Sequence, residues 1–339
     1  MPTFCRHNRL VQNCPICARE LNVEMRPVVS PGTPRTGKPK PSRGETAAGR
    51  RPAARSGSRS GTARSGARSA GVTVRKLVRG ADDGYRSELV AGLKSGADAE
   101  RLAEELAYAV ARLDRLAADP PGLYGEVADR AADLEERSWL AFLIAYLGPL
   151  DGESPFAGIE AARTSWSSGE PPNLDEAPVG PRGAHEAGGG SRAIEAYRAW
   201  AARAGSQAAA FTGEAAWTPE RRFARAIERL SLQGFHRGAR FDLLATLGSL
   251  GAYELRAGAL QLGGSDQVTL AAKRLLGIGD TILLERRAAD LASACGLPLE
   301  ALDVGFFNWE RGERASLGMD PSVEPDEASL EAIHGALGL

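Results

Sequence analysis

The chain is poor in residues on which several protein classes depend. It has four cysteines among 339 residues; three fall within the first 17 and the fourth, Cys295, stands alone. That spacing excludes a disulfide framework and fits a reducing compartment. Only four histidines are present, so histidine-centred acid–base chemistry has few candidates. Runs of alternating β-branched residues are missing, and strands should be few or absent. The longest apolar run, Trp139–Leu147 and a little beyond, is far too short to span a bilayer. The N-terminus is polar and lacks an apolar run followed by a small-residue cleavage site. A cytoplasmic protein without a membrane partner is expected.

Charge is unevenly spread. The formal net charge is −1, yet Arg26 to Gly80 holds 14 Lys/Arg against one acid, Glu45. Residues 81–339 carry 25 basic and 40 acidic residues, a net of −15. A basic arm on an acidic body can bind a polyanion in trans or fold back on its own body. The acidity of the body counts against a large phosphate-binding surface.

What cysteine there is clusters with histidine. FCRHNRLVQNCPIC places Cys5, His7, Cys14 and Cys17 as C-x-H-x6-C-x2-C. Three thiolates and an imidazole close a tetrahedron around Zn2+, and four protein ligands leave no open position, so the metal would be structural. Residues 1–25 therefore read as a zinc knuckle. Residues 26–71, rich in Arg, Pro, Gly and Ser, contain almost no large apolar residue. Such a segment cannot offset its ordering entropy by burial and is expected to be a disordered linker. It serves as a tether, as a salt-sensitive contact to nucleic-acid backbone, or as both.

The folded body should be all-α. Residues 72–150 carry two alanine- and leucine-rich helical patterns, Ala97–Ala118 and Tyr124–Leu147, separated by Pro120-Pro121. Leu102, Leu106, Val110 and Leu113 form the stripe of the first. Residues 151–190, with SSGEPPN and GAHEAGGG, read as a loop or insertion in which His185 is exposed. Residues 191–339 resume helix. Thr218 caps and Pro219 opens a helix running to about Leu232, and Arg240–Leu250 and Ala252–Leu262 read as two short helices. Asp242 lies on the otherwise apolar stretch FDLLATLGSL and needs a partner such as Arg240 or Arg274 if it faces inward.

Two stretches of this last part carry chemistry. Arg222, Arg225 and Arg229 recur on one helix face, followed by Arg237 and Arg240 and interleaved with Phe235 and His236. They suit contacts to phosphates and bases, or else they pair with the acidic helices at 97–138. In TLAAKRLLGIGDTILLERRAADLASACGLPLEALDVGFFNWER, a helix ends at Leu276 and a second runs from about Asp280 to Ala294, joined by Gly277, Ile278 and Gly279. Glycine supplies the positive φ of the reversal, and the outward N–H groups there, beside Lys273, offer a phosphate site. Leu270, Ile278, Ile282, Leu283 and Leu284 should supply apolar cover. A helix turn in any bundle uses glycine in the same way.

LLGIGDTILLERRAADLA resembles the hairpin of the helix-hairpin-helix DNA glycosylases, roughly LPGhG-x-x-x-A. That resemblance implies a catalytic Asp some twenty residues on, which falls on Asp303 in Leu302-Asp303-Val304, with Phe306, Phe307 and Trp309 following. Thr281 stands where lyase-active members carry Lys, and Leu276 replaces the usual Pro. With RGARFDLLATLG upstream and LDVGFFNW downstream, residues 190–312 more closely resemble the alpha-glutamyl/putrescinyl thymine pyrophosphorylases, glycosylase-like proteins linked to modified thymines in phage and bacterial DNA.

The resemblance implies a helix-hairpin-helix glycosylase-like helical domain, DNA containing modified bases as partner, and a role in phage-related DNA modification or defence. Gly277, Ile278 and Gly279 would clamp phosphate, while Phe235, Phe306, Phe307 or Trp309 would stack on a base. Asp303 would serve glycosidic cleavage or pyrophosphate displacement, or would merely cap a helix. The other class of function is a non-catalytic zinc-containing adaptor for nucleic acid or protein. A buried, ion-paired Asp303 without a cleft would favour it.

Overall fold

The computed structural model describes residues 80–186, 191–320 and 323–339. The expected zinc knuckle (Cys5, His7, Cys14, Cys17) and the linker of residues 26–71 lie outside them. The described residues contain twelve α-helices and no strand, as the absence of alternating β-branched runs requires. No helix among them is long and apolar enough to cross a membrane.

Helix α1 (Gly96–Ala118) starts where Ser95 Oγ accepts from the Asp98 amide. Leu102 and Leu106 are buried, while Val110 and Leu113 lie at the edge of the stripe. The expected second long helix is broken. Helix α2 (Leu123–Ala128) stops, and α3 (Leu134–Leu147) restarts on Asp133, whose carboxylate accepts from the Glu135 and Glu136 amides. From Arg137 to Leu147 α3 is buried all round, as befits a helix at the centre of a bundle.

The segment of residues 151–186 is part of the core. It holds the short α4 (Ala157–Ala162) and buries Phe156, Ile159 and Leu174. It then runs over the end of α3, where the Gly180 amide donates to Leu147 O (2.9 Å) and the Ala184 amide to Tyr146 O (2.7 Å). A side chain at Gly183 would put its Cβ 2.1 Å from Leu147 O, so only glycine permits this approach. His185 is buried here and not exposed as expected, with Nδ1 3.1 Å from Tyr146 Oη and Nε2 3.1 Å from Leu174 O.

Helices α5 (Arg192–Ala204), α6 (Gln207–Thr212) and α7 (Pro219–Arg229) follow, the last capped by Thr218 as its sequence suggests. Helix α8 (Arg237–Ser249) begins earlier than Arg240 because His236 caps it. Residues 252–266 form no helix. Instead they are pinned by side chains of later helices: Glu285 accepts from the Leu260 amide (2.9 Å) and Glu300 from the Ala257 amide (2.6 Å). Burial pushes both carboxyls above their ordinary range, against the pull of those backbone bonds.

The predicted hairpin forms from α9 (Gln267–Leu276) and α10 (Thr281–Ala294), with Gly277 left-handed at φ +68° and Asp280 capping α10. Helix α11 (Leu299–Arg311) packs on α1 and α9, and α12 (Glu327–Leu337) packs on α1. Helices before and after the 151–190 segment thus share one core. His334 on α12 has a partner, Glu100, at 2.9 Å.

Candidate functional site: a buried arginine–aspartate chain beneath a cleft

Asp303 is in the second turn of α11, whose N-cap position is Pro298, so it caps nothing. It is 0% exposed. Its Oδ1 accepts from Arg182 Nη2 at 2.5 Å and its Oδ2 from Arg237 Nη2. Arg182 comes from the loop over α3 and Arg237 from the first turn of α8. Burial alone would raise the Asp303 pKa, but the Arg237 and Arg182 charges outweigh it and hold the carboxyl below its ordinary range.

The chain of charges continues outward on both sides. Arg182 makes a forked contact with Asp242, Nε to Oδ2 at 2.6 Å and Nη2 to Oδ1 at 2.7 Å, the bidentate geometry for which guanidinium is suited. Asp242 therefore pairs with Arg182, and neither Arg240 nor Arg274 is its partner. The Arg182 guanidinium also lies 4.6 Å from the centre of the Phe307 ring. Arg237 Nε donates to Leu260 O at 2.9 Å, and its Nη1 stands 3.6 Å from Asp266 Oδ1. Asp242, Arg182, Asp303, Arg237 and Asp266 thus alternate in sign through the interior. Both Nη1 atoms, of Arg182 and Arg237, are buried and have no hydrogen-bond partner among the described residues.

A cleft of about 450 Å³ opens over this chain, lined by Arg182, His236, Gly238, Asp266, Gln267 and Phe307 among others. Two helices begin at its walls. His236 Nδ1 accepts from the Ala239 amide at 3.2 Å, and its Nε2, 3.1 Å from Gly183 O, donates to that carbonyl. These contacts orient the ring and tie the Arg182 loop to α8. Asp266 caps α9, accepting from the Thr269 amide at 3.3 Å. The positive ends of α8 and α9 therefore face the same space.

Several expected site residues do not reach it. Phe306 and Trp309 are fully buried and Phe235 nearly so. Trp309 Nε1 donates to Asp98 O (3.0 Å) and Phe235 packs 5.1 Å from Phe142. These three are core and offer no face to a base. Phe307 alone of the four lines the cleft, with Arg182 on its ring.

The arginine face is likewise dispersed. Arg222 pairs with Glu254, Arg225 with Glu228, Arg229 lies 5.8 Å from the Trp217 ring centre, and Arg240 donates to Ile227 O. Arg237 is interior. None of these pairs with the acidic residues at 97–138.

The hairpin lies at the other end of α9 from the cleft, about 15 Å away at 1.5 Å per residue. Asp280 accepts from the Ile282 and Leu283 amides at 3.1 and 3.0 Å. Two of the N–H groups expected to be free for phosphate are thereby taken, and a carboxylate stands over them. Gly279 has no atom within 4 Å of where a Cβ would sit, and Ile278 is half-buried. Lys273 makes no ion pair within 4 Å among the described residues. Ile282 and Leu283 do not cover the helices, being 81% and 51% exposed, whereas Leu284 is fully buried.

The residue that sequence reasoning missed is Arg182. It stands between Pro181 and Gly183 in a glycine-rich loop, and only the folded chain brings it to a partner 121 positions away. The Asp242 carboxylate on an apolar helix was the one local signal that a buried cation had to exist.

No curated protein and no solved structure matches the chain. Residues 182–311, from the arginine beneath the cleft to the last residue of α11, match the family described as alpha-glutamyl/putrescinyl thymine pyrophosphorylase clade 3.

Proposed function

We propose that the protein modifies thymine in DNA by displacing pyrophosphate from a substituent on the base. An amine attacks the carbon that bears the pyrophosphate. The C–N bond forms as the C–O bond breaks, the electron pair leaves with pyrophosphate, and the amine gives up a proton. A highly charged leaving group needs preorganised cations, and a base inside a duplex must first be turned out. The observation that carries this reading is the cleft lined by Arg182, with Arg237 behind it in the same chain of charges, within the segment matched to the pyrophosphorylase family.

Arg182 at the cleft wall, reinforced by Arg237 behind it, supplies the positive charge for pyrophosphate, and the start of α8 lies beside it. Asp266, at the rim, is the carboxylate placed to bind the incoming ammonium and receive its proton. Asp303 acts through the arginines: with both oxygens engaged and no exposed atom, it is a positioning residue. The α9–α10 hairpin serves as the helix-hairpin-helix element, and Cys5, His7, Cys14 and Cys17 hold a structural Zn2+.

One observation favours the adaptor reading, namely the complete burial of Asp303 in ion pairs. The cleft beside it speaks against that reading. Glycosidic cleavage suits the site less, since it asks a carboxylate to reach the sugar.

The test is to incubate the full chain with an amine and duplex DNA carrying pyrophosphate on the thymine methyl carbon. Pyrophosphate release and the mass of the base are then measured. The expected result is pyrophosphate release with the amine attached to the base. Gly238→Leu should fill the cleft, since a Cβ there stands 3.4 Å from the His236 ring and 4.0 Å from Arg182 Nη2. It should lower turnover by about a hundredfold or more while leaving the melting temperature nearly unchanged. Release of free base would assign a glycosylase, and binding without either product would assign an adaptor.

A further inference from the structure

Ile282 and Leu283 sit in the first turn of α10, beside the open Gly279, and are the most exposed large apolar side chains among the described residues. The buried face of α10 is Leu284, Ala288, Leu291 and Ala292, so these two point away from the core. Arg286 lies four positions after Ile282 and Arg287 four after Leu283, the spacing that places side chains side by side on a helix. Among the described residues neither arginine is within 4 Å of a carboxylate, and neither is Lys273 at the end of α9. The nearby acids are otherwise engaged or set back. Asp280 is drawn onto the helix start, Glu285 turns inward to the Leu260 amide and Glu310 pairs with Arg274, while Asp290, one turn past Arg286 and Arg287, makes no ion pair with either among the described residues. In a body of net −15, this is an apolar tip flanked by free cations.

We infer that the first turn of α10 is a wedge that enters double-stranded DNA, with Ile282 and Leu283 against the bases and Arg286, Arg287 and Lys273 on the flanking phosphates. Apolar side chains that unstack a base step, held by cations on the backbone, are a general means of opening a duplex. The charge decides the partner. A second copy meeting tip to tip would set cations against cations, whereas a polyanion gains from each. The tip is about 15 Å from the cleft along α9, some four base steps. Opening the stack at one end of α9 thus eases delivery of a base to the other. The inference rests on DNA being the partner, as in the proposed function.

The experiment uses the full chain and an unmodified duplex with 2-aminopurine at one position, whose fluorescence rises when it unstacks. Wild-type protein should bind and raise the signal. Ile282→Ser/Leu283→Ser should keep the melting temperature, abolish the rise and weaken binding about tenfold or more, on the order of one aliphatic side chain no longer buried. Arg286→Gln/Arg287→Gln should weaken binding and lower the slope of log affinity against log salt by about two. If wild type and Ile282→Ser/Leu283→Ser bind equally with the same signal, the wedge is overturned and the DNA reading stands. If wild type does not bind duplex at all, both fall. A wild-type dimer that Ile282→Ser/Leu283→Ser makes monomeric in sedimentation, with no fluorescence change, would assign the tip to self-association.

Discussion

At the scale of single residues, Asp303 holds two guanidiniums that would otherwise be buried without a counter-charge. Asp303→Asn keeps the shape and removes the charge, leaving Arg182 and Arg237 to repel one another in the interior. Breaking a buried ion pair from one side costs about 3–5 kcal/mol, so the melting temperature should fall by roughly 10 °C. Asp242→Asn, at a partly exposed position, should cost less. The folded pKa of Asp303 is depressed, so its contribution is present above the unfolded carboxyl range and is lost as pH falls through the folded value. Acid unfolding of wild type should therefore be steeper below about pH 4 than that of Asp303→Asn. Equal melting temperatures for the two proteins would show that the ion-pair chain does not hold the fold. Little of this was legible in the sequence. Asp303 was visible as a carboxylate before FFNW, but its arginine partners were not, because an ion pair spanning 121 positions leaves no local periodicity. Phe306 and Trp309 misled for a related reason: aromatic residues in a helix look alike whether they face a ligand or the core.

At the scale of elements, local chemistry was more informative. Gly277 and Asp280 announced the α9–α10 hairpin, since a left-handed residue and a cap are written three positions apart. Residues 151–190 read as a loop or insertion, yet Gly183 is there for close approach to α3. The two glycine roles predict different costs. Gly277→Ala, at φ +68°, should destabilise by about 1 kcal/mol through backbone strain and leave the cleft intact. Gly183→Ala would drive a methyl into Leu147 O and lift the loop that carries Arg182. Overpacking of this kind costs about 1–3 kcal/mol or more, and it should also lower turnover because Arg182 moves. Comparing melting temperature with turnover for the two variants checks the assignment. An active Gly183→Ala enzyme would mean that the position of Arg182 is not what the reaction needs.

At the scale of the whole molecule, the four cysteines divide the chain into two chemical regimes. Cys295 closes α10, is buried, and has its thiol pushed up to about 11 by that burial, so near neutral pH it is almost wholly protonated and unreactive. Cys5, Cys14 and Cys17 lie in a stretch whose spacing, with His7, suits one tetrahedral Zn2+. Thiolates engaged by zinc are shielded from a thiol reagent until the metal is removed, whereas a buried thiol waits for the fold to open. The native protein should thus show almost no fast-reacting thiol. A chelator should expose three, with release of about one zinc per chain, and only denaturant should expose the fourth. Cys14→Ser should carry no tightly bound zinc and should show its two remaining N-terminal thiols at once. Three fast thiols in freshly purified native protein, with no zinc by metal analysis, would dismiss the knuckle and leave the N-terminal cluster without a metal.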